Sequence, residues 1–149
     1  MKVLILMGSE SDKEFAEGMV PEFKEYGVEA EMLVASAHKV PEKVYEIVKA
    51  NNEMEDLVYI TVAGRSNGLS GVTAANSVHP VIACPPFKDK DDFMVNINST
   101  LVMPSDTPVM TVLDRQNAIM AVLRIFALKN PELKAKIADR IKSIKAKFN

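Results

Sequence analysis

The stretch KVLILMGSESD, residues 2–12, carries the first decision about the fold. After Lys2, five apolar residues run without interruption from Val3 to Met7. A strand with one face in water alternates apolar and polar positions, whereas an unbroken run fits a strand covered on both faces. The residues GSESD then stop the run, and a helical pattern follows to about Tyr26, with Phe15, Met19, Phe23 and Tyr26 on one face. Ser11 and Glu14 stand at capping-box spacing, so Ser11 is expected to cap the helix start. Pro21 falls inside the pattern, where it can kink the helix, and Gly27 sits where a helix C-terminal glycine belongs.

The same unit recurs along the chain. AEMLVA (30–35) reads as a second strand and SAHKV as its loop, and Pro41 opens a helix at the favoured first position. LVYITVA (57–63) reads as a third strand, followed by the loop GRSNGLSG and a short helix from about Val72. PVIAC (80–84) is a fourth strand, stopped by Pro85 and Pro86. A stretch rich in Lys and Asp leads to an expected helix near Phe93–Leu101. PVMTVL (108–113) is a fifth strand, a helix follows from about Gln116 to Leu128, and Asn130 and Pro131 start a last one, about 131–147. Strands alternating with helices imply parallel pairing through right-handed crossovers. The expected fold is α/β: a flavodoxin-like three-layer αβα sandwich, with a five-stranded parallel sheet and an extra C-terminal helix in one domain spanning 1–149.

Composition narrows the function classes. Of 149 residues, 48% are hydrophobic and 26% charged, which suits a real core and excludes a disordered chain. The net charge of −2 argues against a nucleic-acid partner. The single cysteine rules out an intrachain disulfide and fits a reducing compartment. The first apolar run is too short for a signal peptide, and no run is long enough to span a bilayer, so a soluble cytoplasmic protein is expected. With two histidines and one cysteine no zinc site is expected, and no metal is assigned. No Walker-type loop and no G-x-G-x-x-G follows the first strand, so ATP and dinucleotides lose support.

In a doubly wound sheet, ligands bind outside the carboxyl ends of the strands, where the strand order reverses. Three loops at that end, GSESD, SAHKVP and GRSNGLSG, each run into a helix N-terminus, which favours an anion. They offer hydroxyls from Ser9, Ser11, Ser36 and Ser66, the Asp12 carboxylate, the Asn67 amide, the cations Lys39 and Arg65, and the imidazole of His38. That set suits a phosphorylated, hydroxyl-bearing small molecule: cations for the phosphate, a carboxylate for ribose hydroxyls, an imidazole to move a proton. Plainer roles stand beside these: Ser11 as a cap, Asp12 as a first-turn acid, Lys39 and Arg65 as solvated loop charges, His38 as a structural histidine. His79 precedes Pro80 at the opposite end of the sheet and reads as structural, and Cys84 reads as a packed small residue.

Taken together, MGSESD, SAHKVP, AGRSNGLSG and VIACPP resemble the family of purine-biosynthesis enzymes that make 4-carboxy-5-aminoimidazole ribonucleotide. The similarity runs in register from Val3 to about Leu128. The family has two branches: a mutase that moves a carboxyl group from N5 to C4 of its substrate, and a carboxylase that joins aminoimidazole ribonucleotide to CO2. The mutase's third loop typically has a histidine before Leu-Pro-Gly, and its second loop an arginine after the histidine. Here the third loop has no histidine and Lys39 follows His38, both of which match the carboxylase, also known fused to a synthetase in animals. No synthetase domain accompanies this sequence, so a stand-alone carboxylase is expected.

The resemblance implies that His38 is the catalytic base and that Ser9, Ser11 and Asp12 hold phosphate and ribose, with Ser36 and Lys39 on the phosphate. It further implies substrate contacts at Gly8, Ala37, Gly64, Arg65, Ser66, Asn67 and Leu69, with Gly64 admitting backbone to the aminoimidazole ring. It implies no cofactor, neither ATP, biotin nor metal, and partners limited to the nucleotide, CO2 and copies of the same chain, commonly as an octamer. On the last helix, Leu133, Ile137, Ile141 and Ile144 form an apolar stripe, which could cover a partner subunit or pack on its own domain. The alternatives to the carboxylase are the N5-carboxyaminoimidazole ribonucleotide mutase and, more distantly, a flavodoxin-like FMN-binding module. The latter needs aromatic residues against the flavin, and the three loops contain none.

Overall fold

A computed structural model describes residues 1–148. Five parallel strands form one sheet in the order β2-β1-β3-β4-β5. They are β1 (Lys2–Met7), β2 (Glu29–Val34), β3 (Leu57–Val62), β4 (Val81–Ala83) and β5 (Met110–Thr111). Eight helices connect or follow them: α1 (Lys13–Glu17), α2 (Val20–Glu25), α3 (Pro41–Asn51), α4 (Gly68–Asn76), α5 (Lys90–Asn96), α6 (Asn98–Leu101), α7 (Arg115–Ala127) and α8 (Pro131–Lys145).

Period-two alternation along the strands sends their side chains into two separate cores. Val3, Ile5 and Met7 of β1 join Phe23 of α2, Leu123 of α7 and Leu133 of α8 on one face. Leu4 and Leu6 join Val44 and Val48 of α3, Leu69 of α4 and Tyr59 of β3 on the other. Both faces are therefore covered, as the unbroken apolar runs of β1 and β3 require; every residue of β3 is buried. The three-layer sandwich and the five parallel strands match the expectation from sequence.

Several local expectations need correction. The first helix is not continuous: a 3₁₀ turn (Glu10–Asp12) precedes α1, and α2 starts one residue before Pro21, so the proline sits in the first turn of a new helix. Ser11 makes no capping bond to Glu14; the reciprocal pairing belongs instead to Ser9 and Asp12, which have the same spacing two residues earlier. α4 begins at Gly68 rather than near Val72, because Asn67 caps it: its side-chain oxygen accepts from the Ser70 N–H at 3.2 Å. The stretch expected as one helix at 93–101 is two, α5 starting earlier, where Asp89 accepts from the Asp92 N–H at 2.8 Å. β5 is two residues long, since β4 beside it ends at Ala83 and prolines 85 and 86 lack a ladder N–H. Gly27 closes α2 with a φ of +73°, a left-handed turn that favours glycine.

α8 lies on its own domain. Leu133 and Ile137 are buried in the core beneath it, and the Arg140 guanidinium donates to Glu22 Oε1 at 2.6 Å and to Tyr26 at 3.2 Å. Ile144 remains 45% exposed, so the outer end of the stripe is uncovered in the single chain. Truncating Ile137 to Ala is expected to cost about 2–5 kcal/mol in a urea titration. A loss well under that would show that α8 does not seat on this core.

Candidate active site

The strands end in four loops that enclose one cavity of about 500 Å³, a volume suited to a small-molecule ligand. After β1 come Gly8, Ser9, Ser11 and Asp12; after β2, Ser36, Ala37, His38 and Lys39; after β3, Gly64, Arg65, Ser66 and Leu69. All twelve were singled out from the sequence, and the fold brings them to one place.

In the first loop the hydroxyls form a chain. Asp12 Oδ2 accepts from both the backbone N–H and the hydroxyl of Ser9, each at 3.0 Å. Ser9 has one hydroxyl proton, so Ser11 is the donor in the 2.6 Å contact between the two serine oxygens. Asp12 is half-buried, and burial pushes its carboxyl above the ordinary value, against the two Ser9 hydrogen bonds that pull it down. In the second loop Ser36 Oγ accepts from the Lys39 N–H at 3.3 Å and its carbonyl accepts from Val40 at 2.9 Å, closing the turn that carries His38. His38 and Lys39 are both exposed at the rim of the cavity.

The third loop is built by close approach. A Cβ on Gly64 would collide with the Pro86 carbonyl oxygen, so glycine at 64 admits the close approach of the fourth loop. Ser66 holds a φ of +46°, a strained conformation for a non-glycine residue, at the cavity wall. Asn67 is a correction to the sequence reading. It is 2% exposed and does not line the cavity. Its amide nitrogen donates to Ser70 Oγ at 2.7 Å and Thr100 Oγ1 at 3.0 Å, and its oxygen caps α4. Its backbone N–H donates to Ser99 Oγ at 2.8 Å. The Asn67 side chain is consumed inside the fold, bracing the loop to α6.

Sequence reasoning missed the fourth wall: Pro86, Phe87, Lys88 and Asp92, together with Ala63 and Gly68 in the third. The spacing Asp89-x-x-Asp92 was the available signal. Asp89 caps α5, and Asp92 reaches back to accept the Lys88 N–H at 3.0 Å, which fixes Phe87 and Lys88 at the mouth. That backbone bond is the main cause holding the Asp92 carboxyl below its ordinary value. Asp92 also stands 3.9 Å from Arg65, whose side chain is 66% exposed; so loose a pair contributes little energy. Three cations, Lys39, Arg65 and Lys88, thus border the cavity against two carboxylates.

The remaining titratable candidates are structural. His79 lies at the opposite end of the sheet, where its Nε2 donates to the Asn51 carbonyl at 3.2 Å. Cys84 is fully buried, and burial pushes its thiol up to about 12, which leaves it protonated and inert. Among the described residues, no group of three or more His, Cys, Asp or Glu is placed to hold a metal ion, and no helix is long and apolar enough to cross a membrane.

A model of the family described as AIR carboxylase matches residues 2–147. A phosphoribosylaminoimidazole carboxylase of Archaeoglobus fulgidus is 47% identical, with 93% of this chain and 76% of that protein covered. An N5-carboxyaminoimidazole ribonucleotide mutase of Methanocaldococcus jannaschii is 44% identical over 97% of this chain and 91% of that one. The crystal structure of Treponema denticola PurE superposes with a TM-score of 0.92 at 38% identity, covering 99% of this chain and 93% of that chain.

Two substitutions check the site's construction. A carboxyl raised by the fold stabilises while protonated; that contribution is full below the unfolded value and is lost as pH rises through the folded one. Ionised Asp12 therefore opposes folding at neutral pH, and Asp12→Asn is expected to raise the melting temperature at pH 7, with the gain fading towards about pH 4. An unchanged or lower melting temperature at both pH values would contradict this. Asn67→Ala is expected to cost about 1–3 kcal/mol in urea denaturation through its lost cap and orphaned partners. Undiminished stability with lost ligand affinity would return Asn67 to the binding residues.

Proposed function

The chain belongs to the AIR carboxylase family, and within it we propose the carboxylase reaction of purine biosynthesis: 5-aminoimidazole ribonucleotide plus CO2 to 4-carboxy-5-aminoimidazole ribonucleotide, reversibly, without ATP, biotin or metal. Relatives named carboxylase and mutase are similar to this chain to nearly the same degree, so identity does not separate the branches.

The observation that carries the choice is at Gly68. The mutase's third loop has a histidine before Leu-Pro-Gly; the matching residue here, before Leu69-Ser70-Gly71, is Gly68. A Cβ built there would lie 2.7 Å from His38 Nε2 and 3.0 Å from Cε1. A side chain starting from that position would have to displace the His38 ring from where it stands. The site is built around one histidine, and Lys39 after it is the other departure from the mutase pattern.

In this reading the hydroxyls of Ser9 and Ser11 and the Asp12 carboxylate take the ribose and phosphate, and Ser36, Lys39 and Arg65 hold the phosphate, with Gly8, Ala37, Gly64, Ser66 and Leu69 shaping the wall. Carbon C4 of the ring is enamine-like. It donates its electron pair to the carbon of CO2, one C–O π bond becomes a carboxylate oxygen's lone pair, and the ring nitrogen system carries the positive charge. The proton still on C4 then passes to His38, and its bonding pair restores aromaticity. In reverse, His38 protonates C4 and the C–C bond breaks to release CO2. Such a base contributes about 10²–10⁴-fold, and fixing CO2 beside C4 supplies the remainder.

The same reading places the protein in the cytoplasm as a homo-oligomer, an octamer being favoured. Val40 and Tyr45, which follow His38 in the chain, and Val95 and Val102, on α5 and after α6, are exposed apolar residues, which supports coverage by another subunit. Phe87 at the mouth is the one aromatic residue lining the cavity among those described, too little to favour a flavin.

The test supplies aminoimidazole ribonucleotide with bicarbonate, and separately the N5-carboxylated compound, while the carboxylated product is followed by absorbance. Product from the first is expected; product from the second alone would assign the mutase. His38→Asn is expected to keep nucleotide affinity and lose about 10²–10⁴-fold in turnover. A variant near full rate would remove His38 from the chemistry.

A further inference from the structure

We propose that Gly68 is a positioning residue whose bare Cα, held in place by α6 through Asn67, is the seat that fixes the His38 imidazole. The inference rests on the reading of His38 as the base. His38 sits on an exposed loop, and among the described residues no hydrogen bond orients either of its ring nitrogens, unlike His79. What the structure sets against the ring is a packing contact with Gly68 rather than a hydrogen bond. The three nearest atoms to an added Gly68 Cβ are all from His38: Nε2 at 2.7 Å, Cε1 at 3.0 Å and Cδ2 at 3.5 Å. The leading edge of the imidazole fills the space that any other residue's side chain would take.

The seat is rigid. Gly68 donates its N–H to the Ser66 carbonyl at 2.9 Å across the strained turn at Ser66. The preceding residue, Asn67, ties the segment to Ser99 and Thr100 of α6 and to Ser70 of α4, and Thr100 and Ser70 are fully buried. Ser70 in turn meets Thr61 of β3 at 2.7 Å. The floor under His38 is thus continuous with a central strand, while His38 itself is on a loop. Gly68 does not have a positive φ, so alanine fits its backbone. The effect of a methyl there is steric and falls on His38.

The experiment is Gly68→Ala, with Gly71→Ala as control in the same helix; a Cβ at 71 meets only the flexible Met103 side chain, at 3.3 Å from Sδ. The chain has two histidines, so the imidazole Cε1–H region of the spectrum has two resonances to assign, and His38→Asn assigns them. Gly68→Ala is expected to move the His38 resonance and leave His79 in place. Turnover should fall on the order of 10²-fold, as for a base displaced by about an ångström, with nucleotide affinity kept. In a His38→Asn background the same substitution should cost nothing further, because it acts through that ring. The proposal is overturned by an unmoved His38 resonance, by a loss that persists undiminished in the His38→Asn background, or by a Gly68→Ala chain that does not fold. Should the parent protein turn over neither nucleotide, the assigned reaction fails and the resonances alone decide whether Gly68 seats His38.

Discussion

Between β1 and β3 the chain leaves the sheet in opposite directions. After β1 it enters α1 and α2 on the face packed by Val3, Ile5 and Met7; after β3 it enters α4 on the face packed by Leu4 and Leu6. Two adjacent strands whose loops diverge leave a crevice at their carboxyl ends that no side chain of the core fills. The order β2-β1-β3-β4-β5 makes that crevice unavoidable, and the right-handedness of each crossover fixes which end it opens at. The loops that carry twelve of the thirteen candidate residues stand on its rim. The hydrophobic runs therefore do two things: they bury the sheet on both faces, and they place the first and third loops back to back.

Within the crevice, precision comes from residues that are small and from polar groups spent inside the fold. Gly64 lets the Pro86 carbonyl close the fourth wall, and Gly68 leaves room for His38. Asn67, Ser70, Thr61 and Thr100 form a buried hydrogen-bonded network that holds this floor to β3 and α6. Such a network rigidifies only when all members are satisfied, and here each has a partner. Asp12 shows the opposing tendency: its carboxyl is retained half-buried where burial disfavours its charge. Keeping an ionised carboxylate there costs stability at neutral pH.

The fold was legible because the strands announce themselves by short apolar runs, unbroken in β1, and the crossovers by helical spacing. Twelve of the thirteen residues singled out line the cavity for a related reason: a doubly wound sheet dictates which loops share an end. What escaped was direction. Asn67 is equally suited to binding a ligand and to capping a helix, and the sequence does not say where its amide points. Ser9 and Ser11 both precede an acid by three residues, so the spacing alone could not choose between them. α4 begins in Gly-Leu-Ser-Gly, whose propensity for helix is low, and the Asn67 cap and buried network override it. The fourth wall lies in the stretch rich in Lys and Asp, to which no site residue was assigned, although Asp89 and Asp92 carry the capping spacing that orders it.

We propose that a lone imidazole, seated on a bare backbone at a strand-end crevice, exchanges a proton with a ring carbon. A crystal structure of the chain with the carboxylated nucleotide bound tests this most directly. The account predicts the ring between the first and third loops, its phosphate against Lys39 and Arg65, and the His38 imidazole about 3–3.5 Å from C4. An imidazole turned to solvent, with another group of the chain nearest C4, would contradict it.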